Sequence, residues 1–270
     1  IRSRYQTALS IENAPLEALR VPMMAILMSP NFVFRVEESL PTPSPERPLI
    51  SDHELASRLS YFLWSSMPDR RLRALADQES LQDRRQIERQ VERMLSNPQT
   101  TALTQNLAGQ WLRIRDLRNH FVQWEETYPE IREAMAIELE LFFQSFINEP
   151  RDLHEVLLSP TSFIDSQLAN HYGTEPLDGD GFQEINLESV GRTGLLTMGG
   201  ILTTLSTPIR TSPVRRGQFV LDALLCEPPP PPPPGVEGLL ETLDDTRTLR
   251  ERMARHREDP NCASCHLEMD

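Results

Sequence analysis

The chain has 270 residues, 40 acidic and 27 basic, with a formal net charge of −13, and this length corresponds to one large or two modest domains. Every basic residue is arginine, which excludes a Walker A phosphate loop and a lysine Schiff base, because both need a lysine amine. The acidic balance argues against a general nucleic-acid binder, while a hydrophobic share of 39% still suffices for a core.

From the N-terminal end, Leu16, Leu19, Met23, Ile26 and Leu27 recur near a 3.6-residue period and predict a helix over 15–28, which Pro22 kinks or starts. The proline-rich stretch 37–50 reads as an extended connection. Ser51 to Glu54 has the form of a capping box. It opens a helix with Leu55, Leu59, Phe62 and Leu63 on one face. Helices are expected at 69–77, 83–96 and 98–116. The strongest pattern, with Ile131, Met135, Leu139, Phe142 and Phe146 on one side, predicts a helix over 129–148 that Pro150 stops. Shorter helices are expected at 152–158 and 162–172, a loop at 173–181, and further helices at 192–204 and 213–226. No alternating run is long enough for a strand, and no apolar run reaches the roughly 20 residues of a membrane-spanning helix. The expected fold class is all-α.

Pro228 to Pro234 are consecutive prolines, which predict a polyproline II strut at ~3.1 Å per residue, roughly 20 Å long. The strut lies in the second of two expected regions, a helical domain at 1–205 and a small region at 206–270. After the strut, 244–258 reads as an Arg- and Glu-rich helix, and the motif Cys262-Ala263-Ser264-Cys265-His266 follows.

This CxxCH motif carries a specific chemistry. Two thiols one helical turn apart can add across the two vinyl groups of haem, and the following histidine then supplies an imidazole to the iron. One covalent haem c, with His266 as proximal ligand, is the expectation. A zinc site built from His256, Cys262, Cys265 and His266 is the rival, weakened by the adjacency of Cys265 and His266. A redox-active CxxC would need a strand-to-helix context that is not predicted. For a distal iron ligand, Met269 is too close to His266 in sequence. His256 is one candidate, His171 and Met198 are others, and an open distal position is equally compatible. Arg210, Arg215 and Arg216 flank Thr211 to Pro213. They read either as solvated arginines at a helix start or as a clamp for haem propionates or another carboxylate, which guanidinium forks suit. Glu138 and Glu140 lack the Glu-x-x-His partner of a di-iron bundle. There is no HExxH, GxSxG or GxGxxG. Cys226 is expected to be a buried small hydrophobe.

Several longer stretches resemble one family. Met28 to Phe32, Phe34 to Glu37, Leu55 to Asp69 and Leu168 to Gly173 are similar to signatures of a secreted, planctomycete-type domain of unknown function. Arg210 to Gly217, the proline run, and His256 through His266 with Met269 and Asp270 resemble the cytochrome-c-like domain that follows it. The resemblance implies export to the periplasm or cell surface, with the leader removed. It also implies a longer polypeptide or complex with further cytochrome domains or a redox partner protein, in which this chain is a piece cut short at its C-terminal end. At Asp165 relatives tend to have Asn. The resulting expectation is an exported c-type haem protein that transfers electrons within such an assembly. The alternatives are a non-redox structural or binding subunit whose CxxCH holds zinc or nothing, and a haem oxidoreductase with an open distal site. No reaction carries over from the family.

Overall fold

The computed structural model describes residues 1–12, 14–37, 50–122, 128–149, 151–230, 247–258 and 260–269. The expected connection at 38–49, most of the polyproline strut and the start of the 244–258 helix lie outside the described residues. The fold is mostly α-helical, with a single two-stranded sheet among the described residues. Contacts divide it into two compact units, 1–62 with 66–91, and 63–65 with 92–270. The boundary expected at 205/206 lies inside the second unit.

The first unit is built from short helices. The expected helix over 15–28 forms as two pieces, Pro15–Ala18 and Arg20–Leu27, because Pro22 has no N–H to offer the carbonyl four residues before it. Arg2–Glu12 is helical as well, an element without a clear apolar stripe in the sequence. The capping box is present. The Ser51 amide donates to Glu54 Oε2 (2.7 Å), and the Glu54 amide donates to Ser51 Oγ (3.3 Å). These bonds satisfy orphan donors at the start of the helix Asp52–Trp64. Asp69 caps the next helix, Arg70–Asp77, by accepting from the Leu72 amide at 2.8 Å.

The second unit is organised around the helix Tyr128–Asn148. Its Met135, Leu139 and Phe142 are buried with Leu117, Leu168, Leu195, Ile201 and Phe219 in one core cluster. The expected continuous helix over 98–116 is broken. Residues Thr104–Ala108 form a π turn, and Arg113, at φ +57°, ends the helical run before Ile114–Asn119. The expected helix over 162–172 starts as a strand, β1 (Thr161–Ile164), and becomes helical only at Ser166–Tyr172. β1 pairs antiparallel with β2 (Gln183–Asn186), Thr161 opposite Asn186 and Ile164 opposite Gln183. The β1 residues alternate between half-buried and buried, but four residues are too few for periodicity to separate a strand from a helix. Asp165 sits at the junction and caps the helix by accepting from the Leu168 amide at 2.9 Å, a role that Asn would fill equally well. The stretch expected as a helix over 192–204 is helical only at Leu195–Thr197 and Gly199–Thr204.

Candidate functional site

The CxxCH motif lies within the helix Pro260–Met269, so Cys262 and Cys265 are one helical turn apart along its backbone, as covalent haem attachment requires. This helix packs on Pro213–Phe219. The contact needs Gly217, since a Cβ there would fall 1.6 Å from the carbonyl oxygen of Met269. Ser212 caps Pro213–Phe219 by accepting from the Arg215 amide. His266 is half-buried. His256 ends the preceding helix, Leu249–His256, which a full capping box from Thr248 and Glu251 opens. The donor set of two thiols and the next-residue imidazole fits a c-type haem.

The other sequence candidates separate. His171, Arg210 and Arg216 line one cavity of about 400 Å³. Arg215 turns instead to the backbone, with Nη1 donating to Ser206 O at 2.9 Å. Met198 is 3% exposed within the core and borders a different, very small recess beside Glu138. Cys226, expected to be buried, is exposed as a free thiol. It follows the π turn Val220–Leu224, and its own φ of +57° turns the chain out of the helix.

Two constellations were not legible as such in the sequence. The first is at the cavity. His120 and Tyr128 lie on its wall, with His120 Nδ1 2.9 Å from the Tyr128 hydroxyl and Nε2 3.4 Å from Ser206 O. Because Ser206 O can only accept, Nε2 carries the ring proton and the Tyr128 hydroxyl donates to Nδ1; burial pushes the Tyr128 phenol up to about 12. The second is around Glu138, which has no solvent exposure. Tyr172 OH donates to its Oε2 at 2.6 Å and Ser162 Oγ to its Oε1 at 2.8 Å. Tyr172 OH in turn accepts from the Gly199 amide at 3.1 Å, and the Arg192 guanidinium lies 3.9 Å over the Tyr172 ring. Gly199 is required here, because a Cβ would come within 2.5 Å of the Tyr172 hydroxyl. Burial raises the Glu138 carboxyl to about 7, against the opposing pull of the Tyr172 and Ser162 hydrogen bonds and of Arg192. The sequence did carry a trace of this residue: Glu138 falls in register with Ile131, Met135 and Phe142 on the apolar stripe. His120 and Tyr128 carried no such signal.

These features define a mostly α-helical protein with a CxxCH helix docked beside an arginine-bearing cavity. Residues 50–174 match the family model PSD4, a protein of unknown function (DUF1592), and residues 192–270 match PSCyt3, a protein of unknown function (DUF1588). The two matches support the domain family that the sequence resembles. No curated protein and no solved structure matches the chain. Among the described residues, no helix is long and apolar enough to cross a membrane.

Proposed function

We propose that the protein is an exported c-type haem protein that passes single electrons within a periplasmic or cell-surface assembly. The observation that carries this reading is the placement of Cys262, Cys265 and His266 within one short helix, Pro260–Met269, held on Pro213–Phe219 through Gly217. Cys262 and Cys265 would attach the haem through thioether bonds and His266 would supply the proximal imidazole. The bound group would supply one-electron chemistry. His256, at the end of the neighbouring helix, is the first distal candidate to test, ahead of His171 and Met198. The helices of 1–205 would serve as scaffold and docking surface for a redox partner or further cytochrome domains. The match of residues 192–270 to a model named PSCyt3 supports the same reading.

Protein isolated from its native source is expected to give an alkaline pyridine haemochrome spectrum with a c-type α-band and one iron per chain. The Cys265→Ala variant is expected to lose haem that survives denaturing gel electrophoresis. Stoichiometric zinc without iron would overturn the proposal in favour of a structural role for the motif. Rapid binding of cyanide or CO to the iron would replace a closed electron carrier with an open-site oxidoreductase.

A further inference from the structure

We infer that the cavity between His120, Tyr128, His171, Arg210 and Arg216 is a binding site for a small amphipathic carboxylate, separate from the CxxCH helix. Among the described residues, none from 260–269 lines it, so the inference goes beyond the haem reading and stands without it.

Size comes first. About 400 Å³ lies within the range of pockets that enclose small organic ligands. The walls combine an apolar part, including Ile131, Met135 and Leu202, with a few converging polar groups, the composition that such pockets share.

Charge comes second. The described lining contains two arginines and two histidines and no acidic residue, in a chain whose net charge is −13. A cationic lining in a strongly acidic protein selects an anion, and a planar guanidinium matches a carboxylate in two-point geometry.

Third, one arginine of the lining has an unsatisfied donor. Arg216 Nε is buried with no hydrogen-bond partner. A buried donor left unpaired is costly, and Arg216 can relieve that cost by turning its guanidinium to a bound carboxylate.

Fourth, the site is pre-organised. The Thr207 amide donates to Arg210 O at 2.8 Å, and the Arg210 amide donates to Thr207 Oγ1 at 3.1 Å. These bonds close the 207–210 turn that presents Arg210. His120 is pinned between Tyr128 and Ser206. Pre-formed walls reduce the ordering cost of binding.

The test is calorimetric titration of the full chain with octanoate and 2-naphthoate, each paired with its neutral amide. The acids are expected to bind at least about tenfold tighter than the amides, and Arg216→Gln is expected to weaken them by about tenfold or more. Ile131→Phe, which fills the cavity from the helix Tyr128–Asn148 and leaves both arginines in place, is expected to weaken binding as strongly. This second variant, together with Arg210→Gln, keeps the proposal testable if circular dichroism shows that Arg216→Gln does not fold. Equal affinity for acid and amide, wild-type affinity in the folded variants, or no heat of binding from either acid at millimolar concentration would each overturn it. The same titration on Cys265→Ala separates this site from the haem: acid binding is expected to persist there, and its loss would overturn the claim that the two sites are separate.

Discussion

The helix Tyr128–Asn148 serves two polar regions of opposite character. At Glu138 the polar groups close on one another. The carboxylate has two hydroxyl donors, and Tyr172 OH both donates to it and accepts from Gly199. The adjoining recess of about 10 Å³ has room for about one water at most. At the cavity, by contrast, about 400 Å³ stays open and Arg216 Nε has no partner. Complete satisfaction marks a structural network, whereas an open volume with an unpaired buried donor marks a site that expects something else.

The strongest way to probe this contrast is pH. The Glu138 carboxyl is raised from about 4.5 to about 7 in the folded state. Between these values the unfolded chain has released the proton and the folded chain retains it, so the folded state binds more protons and stability falls as pH rises. The contribution is fully present below about 4.5 and lost above about 7, a decline on the order of 3 kcal/mol. Denaturant unfolding at pH 5 and pH 8 is expected to show this decline in the wild type and not in Glu138→Gln. An equal decline in both would assign it to other groups.

Next in size is Tyr172→Phe, which strands a buried acceptor on Glu138 and the Gly199 amide at once. It is expected to cost about 1–3 kcal/mol at pH 5. It should also enlarge the decline and carry it to higher pH, because the lost hydrogen bond was one of the forces holding the carboxyl down. A cost below about 0.5 kcal/mol would show that the network is looser than its geometry.

The smallest expected effect is at the cavity. Arg216→Gln should destabilise the fold by no more than about 0.5 kcal/mol, because its buried Nε contributes no hydrogen bond to the fold and its removal relieves an unpaired donor. A loss of several kcal/mol would place Arg216 with Glu138, as a structural residue, and remove the distinction between the two regions.

Much of the helical framework was legible in the chain. The Ile131-to-Phe146 stripe predicted the helix Tyr128–Asn148 to within one residue, and Ser51 with Glu54 predicted a capping box whose hydrogen bonds are formed. Both are local signals, a 3.6-residue period and a three-residue spacing. The failures also have local causes. β1 is too short for its alternation to be distinctive, and the break at Arg113 rests on a single left-handed residue that composition does not announce. Cys226 was misplaced because its type favours burial, while its position at the exit from a helix exposes it.

By itself the sequence determined the chemistry that is available: no lysine, arginine as the only permanent cation, and two thiols and an imidazole within one CxxCH. It also determined most helices, because their signals lie within a few residues of one another. Only the tertiary structure decided which distant groups meet. His120, Tyr128 and His171 lie in the stretch that matches PSD4, and Arg210 and Arg216 in the stretch that matches PSCyt3. No local spacing links them, and the cavity exists only because both stretches pack around one core. The burial that lifts Glu138 is likewise a property of packing, since desolvation, the largest cause of its shift, requires neighbouring elements to exclude the water that would solvate its charge.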